Sequence, residues 1–306
     1  MTKPTGSRLR LVLSQLRDQL KMPHAPGKTL PFPRVRNFLL DALAEGKRKH
    51  IAHVMLEADI GGIKERLAQL REGGEAPVSM TSYIAKSFAC AIEADKRVQA
   101  YRLGRSRLVV FDDVDFAFMI EREWEGEPIP VCYIVRAAQQ KSAAEINREL
   151  QAARETPLRT DGPMNALEMQ FFLLPRFLRK AVWFVIRRNP YWFKDVAGTA
   201  AVTSMGMYTS GAAVGIPITP MTLTLTIGTT EKKPALLDGQ LVERDSVHLV
   251  LSVDHDIVDG APLMRFAERL KQMLRDGTAL LPPGTHQSRP GQGSEAAAEP
   301  EPIRRS

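Results

Sequence analysis

The strongest constraint on the fold is a change of hydrophobic period near the carboxyl end of the chain. Over 247–254 apolar residues recur at every second position, which is the period of a half-buried β-strand. After Gly260 the period becomes helical, and one helix face collects Leu263, Phe266, Ala267, Leu270, Met273 and Leu274. Only residues 255–259 join the two patterns. The sequence therefore predicts a strand, a tight loop and an amphipathic helix in direct succession.

Upstream of this unit, strand and helix patterns alternate from about residue 35. Helices are predicted over 35–46, 59–71, 79–94 and 142–154, and strands over 53–58, 108–111, 115–121, 131–135 and 222–227. Asp238-Gly239 between apolar flanks predicts a tight hairpin. Residues 1–30 include a Pro- and Gly-bearing linker, and residues 279–306 are rich in Gly, Pro, Ala and Glu. We therefore expect a flexible amino-terminal segment and a disordered tail.

Composition restricts the class of protein and of partner. Of the 306 residues, 44% are hydrophobic and 25% charged, as in globular proteins with a substantial core. The formal net charge of +7 suits nucleic acid, an anionic membrane or a phosphate-rich small molecule such as coenzyme A. The basic residues form no recognisable nucleic-acid motif, so we expect no nucleic-acid partner. Because we find neither a signal peptide nor an apolar run of roughly 18 residues, we predict a cytoplasmic location.

The two cysteines, Cys90 and Cys132, both lie in apolar surroundings. Their spacing indicates neither a disulfide framework nor a zinc site. We interpret both as buried small hydrophobic residues and predict no metal.

The loop after the 247–254 strand carries the strongest candidate for chemistry, His255. A histidine at a strand end is held by a rigid scaffold, and its imidazole titrates near neutral pH, so it can accept a proton from a thiol or hydroxyl. Gly260 allows backbone geometry that a side chain would forbid. Structural alternatives remain for each residue. His255 could be a surface histidine, Asp259 could cap the following helix, and Asp256 could be a solvated loop charge.

Three segments of the chain resemble one enzyme family. The stretch 251–262, with Asp-His-Asp-Ile-Val-Asp-Gly at its centre, is similar to the D-H-R-x-x-D-G signature of the dihydrolipoamide acyltransferases of 2-oxoacid dehydrogenases. Residues 198–207 resemble that family's G-G-T-F-T-I-S-N-L-G-M, and residues 216–228 resemble the strand that follows it. Chloramphenicol acetyltransferase shares the H-x-x-x-D-G core. The resemblance implies an α/β catalytic domain over 31–278, with a chloramphenicol acetyltransferase-like mixed sheet flanked by helices.

The resemblance also implies roles for individual residues. His255 takes the place of the general base, and Thr203, 52 positions earlier, that of the hydroxyl that hydrogen-bonds the oxyanion. Asp259 matches an aspartate that maintains the site through an arginine, with Arg34 and Arg36 as open alternatives. Ser204 and Gly260 are expected to contact substrate.

The implied reaction is direct acyl transfer from a coenzyme A thioester to an acceptor, without a covalent acyl-enzyme. In the family the site lies between subunits of a trimer, so the resemblance implies a homotrimer in which Thr203 and His255 come from different chains.

Departures from the family pattern leave the substrate open. Asp256 stands where the motif has arginine, and a carboxylate beside His255 is expected to favour the protonated imidazole and raise the working pH. We find no lipoyl domain and thus no lipoyl attachment site in the sequence. Phe116–Glu121 differs from the segment that lines the family's substrate channel. These departures keep a second function open, that of a non-catalytic trimeric scaffold or partner-binding subunit.

An aromatic and cationic stretch over 164–194 has no counterpart in the family and forms most of an insertion at about 157–196. Pro175 is predicted to break it into two helical pieces. It could be a membrane-surface element. It could also be a helical insertion packed on the core or at a subunit contact, with its cations facing solvent. We favour the second interpretation because Arg176, Arg179 and Lys180 interrupt the apolar run.

Overall fold

The computed structural model describes residues 27–28, 32, 36–124, 127–155, 174–205, 211–237 and 239–280. Residues 1–34 form a unit distinct from residues 35–306, and every element below belongs to the second unit. Nearly all of the predicted flexible segment (1–30) lies outside the described residues. The same is true of the predicted tail (279–306) and of residues 157–173 of the insertion.

The helices follow the sequence pattern closely. They are α1 (Arg36–Gly46), α2 (Gly61–Glu72), α3 (Met80–Ala94), α4 (Ala143–Glu155), α5 (Arg176–Ile186), α6 (Pro190–Ala197) and α7 (Gly260–Asp276). α3 begins with a capping box, in which Ser79 accepts from the backbone N–H of Ser82 and the Ser82 hydroxyl accepts from that of Ser79.

The strands form one mixed sheet and one small hairpin. They are β1 (Ile51–Asp59), β2 (Tyr101–Leu103), β3 (Arg107–Val109), β4 (Phe116–Trp124), β5 (Glu127–Val135), β6 (Ala200–Ser204), β7 (Leu223–Leu237) and β8 (Gln240–Asp254). The main sheet has the order β1-β8-β7-β6-β4-β5, and β2 pairs with β3. β6 runs parallel to both β7 and β4, whereas the other pairs are antiparallel. The predicted mixed sheet flanked by helices is therefore present.

One face of the sheet is covered by helices and is purely apolar at its centre. Phe88 of α3 stacks on Phe116 of β4 at 5.3 Å between ring centroids, and it meets Phe266 of α7 edge-on at 5.9 Å. Strand residues at alternate positions point into this core, among them Val202 of β6 and Leu251 of β8. This burial holds β6 and the end of β8 in one rigid scaffold.

A second, smaller apolar cluster lies on the opposite face. Ala117 of β4 points into it, and so do Trp183 of α5 and Phe193 of α6. Tyr101 packs against Phe193 with ring centroids 5.0 Å apart. The insertion is therefore anchored to the side of the sheet that α3 and α7 do not cover.

Two features differ from the sequence prediction. The strands around the predicted 238–239 hairpin are longer than expected, since β7 and β8 each have 15 residues and Leu237 pairs with Gln240 across the turn. Asp238 of the predicted turn lies outside the described residues, and the Leu237–Gln240 pair shows only that two residues join the strands. In the insertion, α5 begins directly after Pro175, and a further break precedes Pro190, the first residue of α6. Both prolines occupy helix starts, where the missing N–H has no cost.

Candidate active site

His255 directly follows the last residue of β8. Its backbone N–H donates to the carbonyl of His50 at 2.8 Å, which ties the loop to the start of β1. The carbonyl of Asp254 accepts from the N–H groups of Ile257 and Val258, each at 3.0 Å, and so closes the turn. The His255 side chain is exposed. The loop therefore fixes the backbone of the histidine and leaves its ring open to a substrate.

Two contacts with the segment before β1 brace this loop. The buried carboxylate of Asp254 lies 2.8 Å from Nζ of Lys49. Asp256 Oδ1 lies 3.0 Å from Nδ1 of His50, and both of these side chains are substantially exposed. The sequence leaves two interpretations of Asp256 open, a solvated loop charge or a carboxylate that acts on His255. In the structure its carboxylate binds a different histidine, because the antiparallel pairing of β1 with β8 brings His50 beside the loop.

Asp259 holds the N-cap position of α7 with an extended backbone, and its carbonyl accepts from Leu263 N–H at 3.1 Å. The Asp259 carboxylate is exposed and makes no capping hydrogen bond. The structural alternative for Asp259, a side chain that caps α7, is therefore wrong. Of the two arginines considered as its partners, Arg34 lies outside the described residues, and Arg36 is exposed at the start of α1.

Gly260 opens α7 in a conformation that does not need glycine. Its φ angle is not among the positive values, and an added Cβ would meet nothing within 4 Å. The expectation that a side chain would be forbidden by the backbone at this position is therefore wrong. The space that a side chain would occupy at Gly260, next to Asp259, is open.

Thr203 lies near the end of β6, and the start of that strand is fixed tightly. Gly198 has φ +81°, and a Cβ there would come within 2.5 Å of the Asp115 carbonyl oxygen. That carbonyl accepts from the N–H of Thr199 at 2.8 Å. Thr203 points to the face opposite Val202, as strand alternation requires, and Ser204 points back to the helix side.

Thr203 and His255 do not meet within one chain. Thr203 pairs with Thr226 on β7, and Thr226 pairs with Val250 on β8. His255 lies five residues beyond Val250, so the two candidates are separated by roughly 17 Å along the strands and roughly 10 Å across them, or roughly 20 Å in all. A single copy of this unit therefore cannot place both side chains on one reacting carbon.

Three residues near these candidates are evident only in the structure: Lys49, His50 and Thr226. Lys49 and His50 reach the His255 loop only through strand pairing, which leaves no local signal in the sequence. Thr226 is buried directly beside Thr203, and its hydroxyl has no hydrogen-bond partner among the described residues. The alternating threonines of β7 were visible in the sequence, but their neighbour across the sheet was not.

Cys90 is buried in α3, and burial raises the pKa of its thiol despite the nearby Lys86. A thiol with a raised pKa is a poor nucleophile at neutral pH. Over the part of the chain that the structure describes, no group of three or more His, Cys, Asp or Glu side chains could hold a metal ion.

Residues 192–281 match the family model of the 2-oxoacid dehydrogenases acyltransferase (catalytic domain). The dihydrolipoyllysine-residue succinyltransferase component of the 2-oxoglutarate dehydrogenase complex of Bartonella vinsonii subsp. berkhoffii is 29% identical over 157 residues. The match covers 51% of this chain and 31% of that protein, so the chain spans less than a third of this relative's length.

Two solved structures of low sequence identity share the fold. A probable dihydrolipoamide acetyltransferase from Listeria monocytogenes has a TM-score of 0.61 at 19% identity, over 86% of this chain and 98% of that one. The Azotobacter vinelandii dihydrolipoamide acetyltransferase, solved to investigate a serine, a histidine and an asparagine in its mechanism, also has a TM-score of 0.61 at 19% identity, over 84% and 95%. These likenesses confirm the predicted fold.

Proposed function

Because residues 192–281 match the catalytic-domain model of the 2-oxoacid dehydrogenase acyltransferases, we propose that this protein is an acyltransferase. It moves an acyl group between a coenzyme A-type thioester and a thiol, hydroxyl or amine acceptor. One observation carries the assignment of residues. The serine, histidine and asparagine investigated in the Azotobacter vinelandii enzyme are separated by 52 and 4 positions. Thr203, His255 and Asp259 have the same separations in this chain.

In the proposed reaction His255 is the general base. It takes the proton of the acceptor as the acceptor attacks the thioester carbon, and the imidazolium returns that proton to the departing thiolate. An exposed imidazole on a fixed backbone suits this role, because proton transfer needs hydrogen-bond reach without rearrangement of the loop.

Thr203 is the proposed oxyanion donor. Its hydroxyl hydrogen-bonds the oxygen of the tetrahedral intermediate, and one such donor is worth about 2.7–4 kcal/mol. Asp259 acts as a positioning residue, since its carboxylate makes no hydrogen bond to the start of α7 and can bind another group. Ser204 and Gly260 flank the substrate, and the open space at Gly260 allows close approach.

The proposed active site forms between copies of the chain in a homotrimer. The argument is geometric: Thr203 and His255 are roughly 20 Å apart in one copy, whereas both must lie within about 3 Å of reacting atoms. The net charge of +7 favours the phosphate-rich thioester.

The test follows thiol release from a panel of acyl-coenzyme A thioesters with dihydrolipoamide, small thiols and amines as acceptors. We expect His255→Ala to abolish turnover and Thr203→Val to reduce it strongly, with Thr203→Ser retaining most of it. His248→Ala is the matched control, because His248 lies on β8, the strand that leads to His255, and binds Glu231 instead. Equal background rates for the native protein and His255→Ala across the panel would favour the alternative function, a non-catalytic trimeric scaffold.

A further inference from the structure

The helix α5 turns its apolar side to solvent. Phe177, Leu178, Ala181, Phe184 and Val185 recur at the i, i+1, i+4, i+7, i+8 spacing of one helix stripe. All five are exposed, Phe177 to 69% and Phe184 to 41%. We call this stripe the α5 face. Trp192, on the following helix α6, adds another aromatic ring that is 51% exposed.

The opposite side of α5 is held inward by ion pairs. Arg179, which is 5% exposed, places Nε 2.8 Å from Oδ2 of Asp41 on α1 and donates to the Leu174 carbonyl at 2.7 Å. Directly after Ile186, Arg187 lies 3.5 Å from Glu45 of the same helix α1. Asp41 and Glu45 of α1 therefore bind the side of α5 that carries Arg179, and the apolar stripe faces outward. The expected placement, in which the cations of the insertion face solvent, is therefore wrong for the buried Arg179 but holds for Arg176 and Lys180.

The surroundings of the α5 face are cationic. No Asp or Glu occurs from Gln170 to Lys194. Arg176, Lys180 and Arg188 are exposed, and none of them has an acidic partner among the residues that the structure describes. Arg188 lies with Cζ 3.9 Å from the ring centroid of Phe184, so the charge borders the stripe itself.

These observations point to a particular occupant. We propose that the α5 face docks the protein peripherally on an anionic lipid bilayer. Apolar and aromatic side chains enter the boundary between headgroups and acyl chains, while the flanking cations bind the anionic headgroups. A self-complementary contact between two copies would instead bring Arg176, Lys180 and Arg188 of each copy against those of the other.

Helix length restricts the mode of binding. α5 has 11 residues, or about 16 Å at 1.5 Å per residue, against a hydrocarbon core of about 30 Å. Among the described residues, no helix has both the length and the apolarity to cross a bilayer. The helix therefore lies along the surface. This docking is independent of the acyl-transfer chemistry.

The experiment is co-sedimentation of the full chain with vesicles of phosphatidylcholine alone and with vesicles of equal parts phosphatidylcholine and phosphatidylglycerol. We expect binding to the anionic vesicles and about tenfold less to the neutral ones. The double substitution Phe177→Ser and Phe184→Ser should lower anionic-vesicle binding about tenfold, as should Lys180→Glu with Arg188→Glu.

The matched control replaces two equally exposed apolar residues elsewhere. Leu236 and Leu241 face each other on the β7–β8 hairpin and are 74% and 75% exposed, so Leu236→Ser with Leu241→Ser should bind as the native chain does. Circular dichroism checks that each variant is folded. Equal binding by the native chain and the Phe177/Phe184 variant would overturn the proposal. It would also be overturned if that variant formed a smaller assembly by light scattering, because the face would then bind protein.

Discussion

The helices α5 and α7 are both strongly amphipathic, yet they face opposite ways. α7 buries its apolar stripe, and Leu263, Phe266 and Leu270 are at most 3% exposed. α5 buries Arg179 and Trp183 and exposes its apolar stripe. The same periodic pattern thus gives two outcomes. Periodicity predicts that a helix has an apolar side, but the elements that pack against the helix decide which side is buried.

The difference also separates two kinds of site. The loop that leads into α7 carries His255 and Asp259. The candidate catalytic residues therefore lie between a strand and a helix that both pack into the main hydrophobic core. α5 carries no candidate catalytic residue, and its exposed stripe suits a surface contact. Substitutions in the two regions should therefore have distinct effects on activity, stability and binding.

The largest expected effect is on the α7 side, in turnover. His255→Ala should lower kcat/KM by about 10²–10⁴-fold, the usual contribution of a general base. Because the ring is exposed, the melting temperature should stay within experimental error. Steady-state kinetics measures the loss in kcat/KM, and thermal melting measures the stability of the variant. A matching loss of activity in Phe177→Ser would remove the functional separation of the two regions.

Packing provides the next contrast. Phe266→Ala on α7 should lower the free energy of unfolding by about 4 kcal/mol, since it removes a ring that is 1% exposed and packed on Phe88. Phe177→Ala on α5 should change it by less than about 0.5 kcal/mol, because Phe177 is 69% exposed. Urea unfolding of both variants tests the pair. Similar losses from both would mean that α5 is buried in solution.

The ion pair that orients α5 can be removed in two ways. Asp41→Ala leaves Arg179 buried without its carboxylate and should cost about 3 kcal/mol. Replacing both partners, Asp41→Leu with Arg179→Met, should restore most of that loss, because no charge is then left unpaired. If the single and double variants unfold at the same urea concentration, the pair does not hold the helix.

The smallest predicted effect depends on pH and concerns the anchor of α6. Burial tends to raise the pKa of Asp115, but the Ala137 N–H, Arg136 and Lys194 outweigh it, so the pKa is lowered overall. A lowered pKa stabilises the fold above the ordinary value of about 3.9, and this stabilisation is lost as pH falls through the folded-state value.

Asp115→Asn should therefore cost about 1–3 kcal/mol at pH 7 and less below about pH 4. Urea unfolding at pH 7 and pH 3 measures the difference. A cost that is the same at both values would show that the carboxylate charge of Asp115 contributes nothing.

The structure agrees best with the sequence where one local pattern fixes it. The strand that ends at Asp254, the loop with His255 and the helix after Gly260 all lie where the periods place them. The agreement is poorest where a contact crosses the sheet. The pairing of His50 with Asp256 and the buried hydroxyl of Thr226 depend on strand register, which the sequence of one strand does not state.

The sequence alone determined most of the helices and strands, because hydrophobic period is a property of neighbouring residues. It also pointed to His255 at a strand end, and its resemblance to the acyltransferase family supplied Thr203. Only the tertiary structure decided the separation of roughly 20 Å between these candidates and the outward direction of the α5 stripe. Both depend on distant partners: the strand order β8-β7-β6 sets the distance, and the α1 carboxylates of Asp41 and Glu45 set the direction.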